Sequence, residues 1–474
     1  MPSIRADRNQ MYLLPPAIEE WIKNDHLARF VVEFIEVLPL EEMGFKMEEE
    51  TGRPGYAVDM LLGAWIYGIL EGKKSSRKVE KMTMDSIGLI WITGDKHPDH
   101  NTLWRFFKDN KKQIRLLVKE TVQVAIKNDL IGFEIQALDG TKIQADVNKE
   151  KTKTIRDTNK RIEKLDKEID EIMREIENNE KQDEEEGKGS LNMPEKLREK
   201  DELRKKMKDH VERMKKEGKT NENPADKDSR FMKMRGKGLQ QAYNSQAVVD
   251  ARKQIIVAEK VTNNESDAHM LNEMIEKAEE TTGSKAGVTL ADGGYYSPEE
   301  LVKSGEKKRN IVIKLPGDDS KNPYGKAHFE YNKEKNEYIC PKNGKLEFAG
   351  KRKKKSGKET IVYRCRNYKE CMYRYECSKA KSGRIIEAHK YEEVVSAYRA
   401  RARTENWKEQ LKKRQTIVEP LFGRIKNILG FTRFSVRGIE NVQTQWSFIC
   451  SVHNIKTMYA LWREDKIKLR FAAV

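Results

Sequence analysis

The sequence predicts an α/β protein: a mixed-sheet domain preceded by a helical domain and interrupted by a helical hairpin and a small cysteine-containing segment. Three observations carry that prediction. Up to about residue 130, apolar side chains recur at steps of three and four. From about residue 133, short β-branched runs come first as neighbours and then alternate with helical patterns. Within this second region lies a stretch that is almost wholly charged yet keeps a regular apolar stripe.

Ala17–Lys23, Leu27–Ile35 and Ala57–Leu70 have helical spacing. Shorter helices continue at Ser76–Lys81 and Asn101–Lys108, the second following the turn-rich His97-Pro-Asp-His with Asn101 as its cap. A helix, a polar turn and a second helix bearing Arg105 and Lys108 have the form of an element that enters a DNA major groove. A helical bundle with a solvated basic face gives the same pattern. Residues 1–130 are therefore read as one helical domain.

The mixed sheet begins in residues 131–315. Phe133–Asp139 and Lys142–Asp146 form one candidate strand pair. Gln241–Asp250 and Gln254–Val261 form another, joined by a polar turn at Ala251-Arg-Lys. A helix over Asp267–Glu280 precedes the strand Gly287–Ala291, a further helix starts at Pro298, and the strand Asn310–Leu315 follows. Residues 150–217 interrupt this domain. Ile162, Leu165, Ile169, Ile172 and Ile176 step as heptad core positions do, and Leu197, Leu203, Met207, Val211 and Met214 repeat the stripe after the acidic, glycine-containing break at 183–189. An antiparallel helical hairpin results, its seam closed on itself or paired with a second copy.

Residues 316–395 carry Cys340, Cys365, Cys371 and Cys377 around the basic run at 351–355. Four clustered thiols suggest a structural Zn2+ ribbon, since thiolates ligate tetrahedral zinc. Five residues separate Cys365 from Cys371 and again Cys371 from Cys377, and no CxxC pair occurs. Buried, unliganded thiols are the other reading. Cys450 reads as core. Residues 396–474 return to helix, with Val418, Phe422, Ile425 and Leu429 as an apolar stripe and Glu419 at its edge. At 3.6 residues per turn Lys426 falls below Glu419, while Pro420 should start or kink a helix. The segment Phe431–Gly438 alternates basic and aromatic residues, and a closing helix around Trp446 packs on the sheet.

Lys and Arg total 93 against 77 Asp and Glu, a net charge of +16 that favours a polyanionic partner. The longest apolar window, Met60–Leu70, is broken by glycine and is about half a membrane span. No secretory signal is legible at Met1–Asp7, and five cysteines do not make a disulfide scaffold. The expected location is the cytoplasm, at the nucleoid, with no membrane partner.

Three acids stand out. Asp139 lies in Ala137-Leu-Asp-Gly-Thr-Lys and Asp292 in Leu290-Ala-Asp-Gly-Gly-Tyr-Tyr, each after a strand-like run and before glycine. Glu419 lies in Arg414-Gln-Thr-Ile-Val-Glu-Pro-Leu-Phe-Gly-Arg-Ile-Lys, a helical stretch. Carboxylates at two strand ends and on one helix make an oxygen-only site for hard divalent cations. In a chain this basic the matching substrate is nucleic-acid phosphate. Asp146, Asp267 and His269 are candidates for support around the site, or for turns and caps.

In this order and spacing the sequence resembles bacterial insertion-sequence transposases of the DDE class. The branch is the one with an InsH-like helical N-terminal domain and a YREK-type third acidic block. Arg53–Phe107, with Pro98-Asp-x-x-Thr-x-x-x-Phe inside it, is similar to that N-terminal domain. Asp139-Gly-Thr-Lys-Ile, Asp228–Lys233, Tyr243–Asp250 and Ala291-Asp-Gly-Gly-Tyr-Tyr are similar to the successive blocks, and Arg414, Glu419 and Lys426 to the third. Two departures are visible. Gln415 stands where arginine often precedes the glutamate and no tyrosine stands upstream, leaving Lys412, Lys413 or Arg414 for phosphate contact. The family's cysteine segment usually has a CxxC pair, and Tyr368 occupies the place of its first member.

The resemblance implies an RNase H-like catalytic domain with Asp139, Asp292 and Glu419 as its acids. These would hold two Mg2+ (or Mn2+) ions for in-line displacement at phosphorus, with Arg105, Lys108, Arg414 and Lys426 on DNA. It implies cleavage at element ends and joining of their 3′-hydroxyls to target DNA, by a homodimer acting on two ends. Two other readings remain: a nuclease on the same fold without strand transfer, and a catalytically silent DNA-binding protein derived from a transposase.

Overall fold

The computed structural model describes residues 17–47, 55–186, 195–316, 322–353, 359–464 and 467. The segment before residue 17, Arg53-Pro54, the glycine-containing part of the hairpin break and the last lysines of the basic run at 351–355 lie outside these residues. The described protein is a mixed α/β structure in which one six-stranded mixed sheet carries the main core.

Six helices come first: α1 (Leu27–Glu36), α2 (Val58–Leu70), α3 (Ser76–Asp85), α4 (Ile87–Thr93), α5 (His100–Asp109) and α6 (Lys111–Lys127). α2 is the central one, apolar and buried on nearly every side. The helix expected over Ala17–Lys23 is only a 3-10 turn, Ile18–Trp21, because His26 caps a new helix after less than two turns. α5 is capped by Asp99 rather than Asn101. The Asp99 carboxylate accepts from Thr102 N at 2.6 Å, the geometry of a residue placed just before the first helical turn.

The sheet starts with β1 (Ile135–Gln144), a single strand rather than the expected hairpin. Two short strands, β2 (Lys153–Thr154) and β3 (Asn221–Glu222), pair with each other beside the base of α7 (Ile155–Glu186) and α8 (Glu195–Lys216). Then come β4 (Arg230–Met234), β5 (Gly238–Asp250), β6 (Ile256–Thr262), α9 (Leu271–Thr282), β7 (Val288–Ala291), α10 (Pro298–Glu306) and β8 (Ile311–Ile313). The long antiparallel partner β5 keeps β1 continuous, pairing it from Gln136↔Asp250 to Gln144↔Ala242. Gly140 is no turn: it lies opposite Gln246, whose amide would be 2.4 Å from any Cβ placed there. β4 and β6 run antiparallel to β5 on its other edge, while β7 pairs parallel with β1 and β8 parallel with β7.

α7 and α8 pack antiparallel. Leu165, Ile169, Leu197, Val211 and Met214 are buried between them, and Lys200–Glu168 (2.8 Å) and Arg204–Asp166 (3.2 Å) pair across the seam. The stripe therefore closes within one chain, although Met173 and Leu203 remain exposed.

A second sheet follows, antiparallel throughout: β9 (Glu330–Asn332), β10 (Glu337–Ile339), β11 (Lys345–Lys353), β12 (Glu359–Cys365) and, after the short α11 (Arg374–Cys377), β13 (Ile385–Ala388). It has a core of its own, built on Phe329, Tyr338, Leu346, Tyr363 and Ile386. The chain returns through α12 (Glu392–Ala402) and α13 (Glu405–Gly423), then a π-helical turn, Arg424–Ile428, and α14 (Ile439–Arg463).

Pro420 neither starts nor ends α13. Its missing N–H would have bonded the Thr416 carbonyl, and Gln254 Nε2 approaches that oxygen at 3.4 Å instead. α13 crosses β1, β7 and β8, whereas α14 packs on α6 and β6. α14 also serves the outer edge of β6. Asn454 Oδ1 accepts from Ile256 N at 2.8 Å and its Nδ2 donates to Ile256 O at 2.9 Å, while Gln443 Oε1 accepts from Val261 N at 2.7 Å. An edge strand is thus capped by helix side chains rather than left open to another chain.

Two outcomes follow from α14. Asn454→Ala leaves the Ile256 N–H and C=O buried without partners and should cost about 2–4 kcal/mol in urea denaturation. His453 is buried with Nε2 at 3.2 Å from Gln254 O, and burial lowers its pKa from 6.5 to about 4. Between those values the unfolded chain binds a proton that the folded one refuses. Its contribution is complete above pH 6.5 and is lost as pH falls towards 4, on the order of 3 kcal/mol. The stability difference between wild type and His453→Gln should change by that amount between pH 7 and pH 4.5.

Candidate active site

Strand register brings the first two acids together. β1 and β7 run parallel with Leu138 opposite Ala291, so the next residue of each strand is an aspartate. Asp139 continues along β1, whereas Asp292 leaves the sheet at once and caps the 3-10 turn Gly293–Tyr295, accepting from Gly294 N at 2.8 Å. The two glycines keep this turn close to its neighbours. A Cβ at Gly293 would lie 3.3 Å from Lys314 O, and one at Gly294 would lie 3.0 Å from Asp292 Oδ1 and 3.3 Å from Asp267 Oδ2.

Asp139 is largely buried, and burial is the main reason its carboxyl is pushed up to about 6. The Arg414 guanidinium, 3.2 Å away, pulls in the opposite direction, and the nearby Asp292 carboxylate adds to the rise. Arg414 reaches Asp139 because α13 crosses β1 with that face inward, alongside the buried Ile417, Val418 and Leu421. Its charge is thus spent on an acid of the site rather than turned outward to phosphate, while Lys412, Lys413 and Gln415 of the same helix are exposed.

Lys426 does not stack below Glu419. The π-helical turn breaks the 3.6-residue period, and Lys426 donates to Thr141 Oγ1, two residues along β1 from Asp139. Burial lowers the Lys426 pKa, helped by Lys237 and opposed by Asp139. Glu419 is exposed and lies about 140° around the helix from Arg414 at 100° per residue. Among the described residues, no group of three or more His, Cys, Asp or Glu side chains converges to hold a metal ion. The structure therefore gathers Asp139, Asp292 and Arg414, with Lys426 beside them, and leaves Glu419 outside that group.

Of the other acids, Asp267 lies next to the Asp292 turn, and its Oδ1 accepts from Asn244 Nδ2 and Gln246 Nε2, both at 2.6 Å. Asp146 serves neither the site nor a cap: it pairs with Arg433 and Arg437, each at 3.2 Å, and holds the segment before α14 against the end of β1. In that segment Phe431 and Phe434 are buried. His269 is exposed, with φ of +73°. No local sequence pattern marks Gln246 or Tyr295 as part of the site. The signal for them was polarity in a buried place, since Asn244, Ser245 and Gln246 are fully buried on a central strand.

Arg105 and Lys108 are exposed on α5 beside Trp104, which is 41% exposed. The clustered cysteines are free thiols. Cys340, Cys365 and Cys377 pack against the core of the second sheet, while Cys371 is exposed. Cys340 Sγ accepts from Gly344 N at 3.1 Å and Lys342 N at 3.3 Å, and burial pushes the Cys365 and Cys377 thiols up. The cysteines lie near enough that Cys340 and Cys371 add to the rise at both Cys365 and Cys377, yet among the described residues no group of three such side chains is arranged to hold a metal ion. Cys450 is buried in the main core, and no described helix is long and apolar enough to cross a membrane.

Residues 339–459 match the family described as transposase DDE domain, and residues 16–109 match the transposase domain (DUF772). The first match contains Arg414, Glu419 and Lys426, and the second contains Arg105 and Lys108; Asp139 and Asp292 lie between the two. No curated protein and no solved structure gives a significant match. Transposase families are thus matched at both ends of one chain, which supports a DDE-type insertion-sequence transposase.

Proposed function

We propose that this transposase cuts the ends of its insertion sequence and joins the exposed 3′-hydroxyls to target DNA, with Asp139 and Asp292 as its paired acids and Glu419, which stands apart from them in this structure, as the third. The observation that carries the reading is the placement of Asp139, within β1, beside Asp292, which directly follows the parallel strand β7. The strand order, with β5 antiparallel to β1 on one side, β4 and β6 antiparallel to β5 beyond it, and β7 and β8 parallel to β1 on the other side, supports an RNase H-like reading of the sheet.

The donor set fits a hard divalent cation. Two oxygen-only side chains repel each other at a buried position, and Arg414 already supplies one positive charge there. Asp139 and Asp292 would hold Mg2+ or Mn2+, and a second ion would need Glu419 as a further ligand. When bound, the metal supplies Lewis-acid stabilisation of the phosphate and its leaving oxygen. The protein's own groups do the rest. Arg414 keeps the Asp139 carboxylate charged against burial, Lys426 stands beside Thr141 as a cation for the DNA backbone, and the exposed Arg105 and Lys108 of α5 bind element ends. Two ends require two such centres, so the acting form is a homodimer on DNA at the nucleoid.

Labelled, pre-cut element ends incubated with supercoiled target and Mg2+ or Mn2+ should give joined products. Asp139→Asn, Asp292→Asn and Glu419→Gln should each abolish cutting and joining while DNA binding persists. Robust cutting by any of the three would overturn the assignment of that acid, and nicking without joining would favour a nuclease. Replacing Arg105 and Lys108 by Ala should weaken binding to element ends, and the slope of log K against log salt should fall by about 1 for each phosphate contact removed. An unchanged slope would remove α5 from the DNA interface.

A further inference from the structure

We propose that a buried network of Gln246, Tyr295 and Asp267 sets the relative position of Asp139 and Asp292, with Gln246 as its positioning residue. The inference rests on the metal-binding role proposed above for the two acids. Gln246 is fully buried on β5, where an apolar side chain would avoid the cost of desolvating an amide. Both ends of that amide are committed. Oε1 accepts the Tyr295 hydroxyl, and Nε2 donates to Asp267 Oδ1 at 2.6 Å.

Each partner belongs to a different part of the site. Tyr295 is buried and closes the 3-10 turn that Asp292 caps, so its hydroxyl fastens that turn to β5. Asp267 stands in the loop between β6 and α9. Its Oδ1 is taken by Gln246 and Asn244, with Lys142 Nζ at 3.8 Å, while its Oδ2 lies against Gly294 on the side next to Asp292. Gln246 itself lies across Gly140, the residue after Asp139, and its backbone carbonyl accepts Trp446 Nε1 at 3.0 Å. One amide therefore spans β1, the Asp292 turn and the Asp267 loop. Shifting it moves the two acids relative to each other, and the distance between metal ligands is what such supporting bonds fix.

The test measures Mn2+ binding to the full-length protein by titration calorimetry, well below its melting temperature, together with thermal unfolding. Tyr295→Phe removes only the hydroxyl, and Gln246→Leu removes the amide. Each should weaken Mn2+ binding about tenfold, and the double variant should lose little more than either single one. A lowered melting temperature with wild-type Mn2+ affinity in Tyr295→Phe would overturn the inference, leaving the network a stabilising one. Should Gln246→Leu fail to fold, Tyr295→Phe alone decides. Asp292→Asn separates the two layers of the argument. If it binds Mn2+ as wild type does, the metal centre itself is wrong. If it loses binding while Tyr295→Phe does not, only the positioning role fails.

Discussion

The parallel pairing of β1 with β7 is the constraint on which the rest of the site depends. Opposing Leu138 to Ala291 makes the following residues, Asp139 and Asp292, neighbours across two strands. A slip of one residue would send one acid to the other face of the sheet, because side chains alternate along a strand. The Asp139 carboxyl is raised mainly by burial, the neighbouring Asp292 adds to the rise, and the Arg414 guanidinium offsets part of it. The helix carrying Arg414 must therefore cross β1 at this place. The polar side chain of Gln254 near the Thr416 carbonyl allows that helix to continue through Pro420.

Much of the surrounding structure keeps this pairing in one register. β5 holds β1 along its length, and Gly140 opposite Gln246 tolerates no other residue without displacing the buried amide. The outer edge of β6 is closed by Asn454 and Gln443 of α14, so the sheet ends in side-chain hydrogen bonds instead of an open template. Asp146 ties Arg433 and Arg437 to the end of β1, which fixes where α14 begins. Polar residues inside a sheet are costly when unpaired, and here they are placed where they join one element to another.

The α7–α8 pair and the cysteine-bearing sheet are built differently. Each closes largely on itself: the first through a seam of leucine, isoleucine, valine and methionine with ion pairs along it, the second through a small aromatic core. Such units interrupt the chain between Asp139, Asp292 and Glu419 without interrupting the sheet, since their packing is satisfied locally.

That contrast also divides what the sequence alone determined from what only the tertiary structure decided. Local periodicity and turn chemistry were sufficient for most of the α-helices, for β5, β6, β7 and β8, for the apolar stripe of the helical hairpin, and for Asp139 and Asp292 at the ends of apolar runs. They failed where the answer lay in a partner more than a hundred residues away. Gly140 read as a turn because its reason, the Gln246 amide, is on another strand. Lys426 was stacked under Glu419 by a regular helical period that the π-helical turn breaks, and its true partner Thr141 lies 285 residues earlier. Arg414 read as a phosphate contact because no local pattern shows the buried carboxylate that claims it. Spacing along a chain encodes which face a side chain takes, but the charge or hydrogen bond it meets there is chosen by the pairing of distant strands.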